Sequence, residues 1–206
     1  MAAYGRPTLR DLFDDAPTPH IAHPPDTHHR DFYLATDGSF SDSGGGLGAV
    51  IEARDGRCVT RVSRPYDPQD NNVAEFHALH LGLDVLATRT PPGSRVGLLL
   101  DHDQLAASVN ASVLAARGSP LDEHRDPPVP DRTDLHWRGI RARLGGFADV
   151  RAARISSDRN PAHPLANTPK QYAHVNRERE KCIRPRPTES AERIPPPSRS
   201  DRGAGD

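Results

Sequence analysis

Asp31-Phe-Tyr-Leu-Ala-Thr-Asp37-Gly-Ser39 opens the fold-forming part of the 206-residue chain. This β-rich run closes at Gly38-Ser39, and a Gly-rich turn (Gly44, Gly45, Gly46, Gly48) leads into Ala49-Val-Ile-Glu-Ala53. Asp55-Gly56 separates that run from Cys58-Val-Thr-Arg-Val62, and Asp-Gly between apolar stretches is a strong hairpin signal. Three antiparallel strands are therefore expected at the start of the domain.

Pro65 and Pro68 break the pattern before Asn71-Asn72. From Val73 to Thr88, Phe76, Leu79, Leu83 and Leu86 recur at helical spacing. Pro91-Pro92-Gly93 stops that helix, and Val96-Gly-Leu-Leu-Leu100 is a uniformly apolar run of the kind a buried parallel strand needs. A second helix is expected from Asp103 to Ala116, with Asp103 as its N-cap. A Pro- and Asp-rich loop follows over 118–134, then a short helix marked by Trp137, Ile140 and Leu144. Val150–Ile155 reads as a last strand, with a final helix from Ala162 onward. The order β-β-β-α-β-α-α-β-α is that of an α/β domain: a mixed sheet of five strands, three antiparallel and two parallel, with helices on both faces.

A right-handed crossover makes the strand at 96–100 parallel to the one at 31–37. If the two are neighbours, Asp37 and Asp101 share the carboxyl rim, where open α/β sheets bind ligands. Glu75, expected in the first turn of the intervening helix, can reach the same rim. Each residue has an ordinary reading alone: a turn at Asp37-Gly38, a helix-start carboxylate at Glu75, a loop charge at Asp101. Together they form a cluster of like charges, which is costly without a cation. Oxygen donors without cysteine suit Mg²⁺ or Mn²⁺. Two such ions, roughly 3.5–4 Å apart, can drive phosphodiester hydrolysis.

Composition bounds these expectations. Leu, Ile, Val and Phe number 39, and 32 of them fall within residues 32–165, enough for one compact domain and too few for two. Residues 1–30 hold five Pro and four His, and 176–206 hold five Pro among Arg, Glu and Ser, so both ends are expected to be disordered tails flanking a domain at 31–175. Apolar stretches are too short to span a bilayer. Cys58 and Cys182 make neither a disulfide framework nor a zinc site, so a reducing, cytoplasmic setting is the default expectation. With a net charge of −1, any nucleic-acid contact must come from a local patch.

Four motifs in order give the chain a resemblance. Thr36-Asp37-Gly38-Ser39 with Gly48-Ala-Val-Ile51, Asn71-Asn-Val-Ala-Glu75, Leu98-Leu-Leu-Asp101, and Arg159-Asn-Pro-Ala-His-Pro-Leu-Ala166 resemble the type 1 ribonuclease H family across 31–168. The resemblance implies metal-dependent hydrolysis of the RNA strand of an RNA–DNA hybrid by a monomeric enzyme, with no stable protein partner and no membrane implied. It assigns two Mg²⁺ or Mn²⁺ ions to Asp37, Glu75, Asp101 and His163. Gly38, Ser39, Asn71 and Asn72 would meet the hybrid in its wide, shallow groove, where 2′-hydroxyls distinguish RNA.

The departures are specific. The family's fourth active-site residue is usually Asp. Here it is His163, similar to the Ala-His-x-Leu-Ala pattern of plant-type relatives, and a neutral imidazole supplies no negative charge. A catalytically impaired hybrid- or RNA-binding module is therefore the alternative, and another nucleic-acid substrate a third. The Gly-His loop before the last helix is absent, and His102 replaces the usual Ser. In place of a Lys-rich handle there are Arg138, Arg141 and Arg143, which either grip phosphates or pair with Asp131 and Asp134. His77 and His80 are read as surface and core-edge residues of their helix, and His20, His23, His28 and His29 as part of a solvated tail.

Overall fold

The computed structural model describes residues 6–16, 30–41, 44–117 and 129–175. Its elements are α1 (Leu9–Asp15), β1 (Phe32–Ser39), β2 (Gly45–Ala53), β3 (Cys58–Tyr66), α2 (Asn71–Arg89), β4 (Arg95–Leu100), α3 (Asp103–Ala116), α4 (Asp134–Leu144), β5 (Asp149–Arg154) and α5 (His163–Asn167). The five strands form one sheet in the order β3-β2-β1-β4-β5. β1–β2 and β2–β3 are antiparallel, whereas β1–β4 and β4–β5 are parallel. Leu34 lies beside Leu98 and Ala35 beside Leu99, so β1 and β4 end at one rim, as the crossover argument requires.

Alternation along β1 splits the core in two. Phe32 and Leu34 face α2, α3 and α4, with Phe76, Leu79, Leu83, Leu105, Val109, Trp137 and Ile140 in one apolar cluster. Tyr33 and Ala35 face the other way, against Leu12, Phe13, Ile155 and Leu165. A strand buried on both sides must be apolar at consecutive positions, which explains the unbroken Leu98-Leu-Leu100 run of β4.

Residues 1–30 are not wholly a tail. Leu9–Asp15 form a helix started by a reciprocal capping box between Thr8 and Asp11, and Leu9, Leu12 and Phe13 are buried. The Leu9 N–H donates to Glu52 Oε2 at 2.7 Å, tying the helix to β2. Gly97 leaves room for it: a Cβ there would sit 2.8 Å from the Tyr33 ring and 3.1 Å from the Phe13 ring. His20, His23, His28, His29 and residues 176–206 lie outside the described residues.

Four local expectations shift. Only Gly44 (φ 98°) belongs to the Gly-rich turn, since Gly45, Gly46 and Gly48 are in β2. Asp70 caps α2 by accepting from the Val73 N–H, so the helix starts at Asn71 and Glu75 lies beyond the first turn. His102, not Asp103, caps α3, and Asp103 pairs with Arg154. The final helix is only five residues long. Among the described residues, no helix is long and apolar enough to cross a membrane.

Candidate active site

Asp37 sits two residues before the end of β1, paired with Gly48 of β2, and is almost completely buried. Its carboxylate faces the α5 side of the sheet. Asp101 directly follows β4. Oxygens of Asp37 and Asp101 and a ring nitrogen of His163 all lie within 4.8 Å of one another, a grouping able to hold a metal ion. His163 Nδ1 is 3.4 Å from Asp37 Oδ1, and its side chain is half exposed at the mouth.

Glu75 arrives from the opposite face. A close approach of β1 to α2 makes this possible: a Cβ on Gly38 would stand 2.2 Å from the Ala74 carbonyl carbon and 2.4 Å from the Glu75 nitrogen. At that approach the Gly38 N–H donates to the Glu75 carboxyl. Burial, followed by the charges of Asp101 and Asp37, pushes the Glu75 carboxyl up to about 10. Burial and the Asp101 carboxyl likewise hold Asp37 far above the ordinary carboxylate range. Asp101 Oδ1 is buried without a hydrogen-bond partner. Such a group of hard oxygens, short of compensating donors, fits a divalent cation.

The surroundings fix these groups in place. Asn160, fully buried, donates through Nδ2 to the Thr36 carbonyl at 2.9 Å and accepts from the Ala162 N–H at 3.0 Å. That places α5, and with it His163, against β1. Gly46 and Gly48 complete the fit: Cβ atoms there would lie 2.4 Å from the carbonyls of Ala166 and Ala162. Ser157 Oγ donates to Asp101 Oδ2 at 3.0 Å. Sequence reasoning missed both Asn160 as an anchor and Ser157 as a partner, since each depends on a contact distant in the chain.

The remaining residues distribute unevenly. Asn71 and Asn72 are exposed at the start of α2. Asn72 Oδ1 meets His102 Nε2 at 2.9 Å, while His102 Nδ1 accepts from the Leu105 N–H, which fixes the ring as the Nε2–H tautomer. Burial lowers the pKa of His102. The Ser39 hydroxyl is engaged internally, donating to the Ala166 carbonyl at 2.8 Å and accepting from the Gly46 N–H. Arg138 and Arg141 are not gathered here. Arg138 pairs with Asp134 at 2.6 Å, and α4 runs back toward the start of β5, carrying Arg141 in its last turn toward the opposite rim.

The strand order, the crossover and the carboxyl rim have counterparts in solved structures. The N-terminal RNase H domain of Rv2228c from Mycobacterium tuberculosis, solved as a fusion with maltose binding protein, matches 66% of this chain and 95% of its own, at 19% identity and a TM-score of 0.50. The chain has the ribonuclease H fold. A foamy viral protease–reverse transcriptase in complex with RNA/DNA hybrid also matches, over 77% of this chain and 23% of that one, at 17% identity and a TM-score of 0.51. No protein-family model matches the chain, and no curated protein does. In this ribonuclease H fold the acidic cluster occupies the rim where β1 and β4 end together, at the reversal of strand order between them.

Proposed function

We propose that the chain is a divalent-metal-dependent endonuclease that hydrolyses the RNA strand of an RNA–DNA hybrid. The observation carrying this reading is the convergence of buried Asp37 and Glu75 with Asp101 at one strand rim, next to exposed Asn71 and Asn72. Asp37, Glu75, Asp101 and His163 would hold the ions. A pair of divalent ions supplies an activated water and charge compensation at the leaving oxygen. The three carboxylates supply the negative charge, and the burial of Asp37 and Glu75 keeps those two from being screened by solvent. His163, at the mouth, keeps its ring nitrogen against Asp37, where it would join the carboxylates as a ligand. Asn71 and Asn72, exposed at the start of α2, would form the edge on which a minor groove rests, with Asn72 held by His102; Gly38 is buried behind them with its N–H given to Glu75.

One observation favours a second reading, a binding module without hydrolysis: the fourth position is an imidazole and adds no negative charge. A labelled hybrid incubated with Mg²⁺ or Mn²⁺, beside an Asp37→Asn control, decides between them. Cleavage by the wild-type chain alone supports the nuclease, and tight binding without cleavage supports the module. Equal cutting by both proteins removes the site assignment. Parallel incubation with duplex RNA and duplex DNA tests the choice of substrate, and preferential cutting of either overturns the hybrid assignment.

A further inference from the structure

On the outer side of α2, away from the acidic cluster, three histidines from two helices meet. His80 of α2 and His136 of α4 approach corner to corner, with Nδ1 atoms 3.4 Å apart and ring planes at 68°. His77 stacks on the far face of His136 with centroids 4.3 Å apart. We infer that His80 and His136 form a binding site for a borderline-soft divalent ion such as Zn²⁺, linking α2 to α4.

Three observations support it. The nitrogen separation is that of a weak N–H···N hydrogen bond. It matches the edge of a tetrahedron, since bonds of about 2.0–2.1 Å put two imidazole nitrogens roughly 3.4 Å apart. Behind His80, Asp84 Oδ2 lies 3.9 Å from Nε2 and is itself held by Arg143. A small side-chain turn would bring this carboxylate within hydrogen-bond reach of the second ring nitrogen, the place of an orienting partner of a metal-bound imidazole. Finally, the His80 ring lies where α4 has no side chain: a Cβ on Gly139 would be 2.2 Å from His80 Nε2 and 2.3 Å from Cε1. Glycine inside a helix is destabilising against alanine, and the ring's placement explains why it stands here.

Imidazole donors select Zn²⁺, Ni²⁺ or Cu²⁺ over Mg²⁺; the acidic cluster also carries one imidazole, His163, so the test includes a variant of that cluster. With two protein nitrogens, water completes the coordination. Binding to the folded state alone stabilises it by linkage.

The test is zinc competition against a chromophoric chelator, using the full chain and the variants His80→Ala, His136→Ala, Gly139→Ala and Asp37→Asn. We expect the Asp37→Asn protein to keep this zinc and each of the other three to lose at least about tenfold in affinity for it. Affinities of His80→Ala and His136→Ala within about twofold of wild type overturn the site and assign the zinc to the acidic cluster or to other histidines. Should a variant fail to fold, wild-type protein alone suffices. Substoichiometric Ni²⁺ must broaden the His80 and His136 ring resonances before those of other histidines, and the reverse order overturns the inference.

Discussion

The Asn160 side-chain amide donates to the carbonyl of Thr36 at 2.9 Å, fastening the segment before α5 to the strand that carries Asp37. The same side chain accepts from Ala162, so its removal orphans two buried backbone groups. Each orphaned group costs about 1–3 kcal/mol. Asn160→Ala should lower stability by about 2–4 kcal/mol in urea unfolding. Hydrolysis of hybrid should fall mainly in kcat, because His163 loses its fixed place beside Asp37. A variant as stable and active as wild type would show that α5 is held by other contacts.

The acidic cluster predicts an inverted pH dependence when cations are removed. Burial raises the folded-state pKa of Asp37 and pushes that of Glu75 to about 10, against 4.5 for an ordinary glutamate. Between these limits the folded protein binds more protons than the unfolded chain, so stability contributed here falls as pH rises through neutrality. In EDTA, Glu75→Gln should be more stable than wild type at pH 8 by about 1–3 kcal/mol, with the gap closing toward pH 4. Added Mn²⁺ should raise the wild-type Tm and leave Asp37→Asn little changed. Urea titrations across pH, with and without the ion, check both statements. A Glu75→Gln protein less stable at pH 8 would mean that the carboxylate is compensated within the fold.

Topology was legible because the strands announced themselves by pattern: a β-rich run for β1, Asp-Gly between β2 and β3, a solid apolar run for β4. The meeting of Asp37, Glu75 and Asp101 followed from that topology alone. What the sequence hid were contacts between distant segments. Gly46 and Gly48 read as turn residues, but α5 lies against them, and nothing local reveals that neighbour. His102 and Asp103 are both able to cap α3. His102 does so with Nδ1 while its other nitrogen finds Asn72 across the chain. The first helix did carry a local signal, Thr8-Leu-Arg-Asp11, a capping-box pattern set among prolines.

Gly38 is predicted to tolerate no side chain. A Cβ would be 2.2 Å from the Ala74 carbonyl carbon, and backbone cannot give way as a flexible side chain can. Gly38→Ala must push α2 from β1, costing about 1–3 kcal/mol or more. It also withdraws Glu75 from the cluster. The stability loss should therefore come with weaker Mn²⁺ stabilisation, readable as a reduced rise in Tm on adding the ion. Retention of the full rise would separate Glu75 from the cation site.

Phe13 should prove as important to stability as any core residue of the sheet. Its ring meets Tyr33 edge-on with centroids 5.5 Å apart, over the space left by Gly97, and it is only 7% exposed. Without it, Tyr33 loses an aromatic contact and the second core gains a cavity beside α1. Truncating a buried Phe to Ala costs about 3–5 kcal/mol. Phe13→Ala should thus unfold at a Tm well below wild type, and a chain starting at residue 30 lower still, since it also loses Leu9 and Leu12 and the Leu9–Glu52 hydrogen bond. If thermal unfolding of the shortened chain matches wild type, α1 is an accessory to the fold and the second core closes without it.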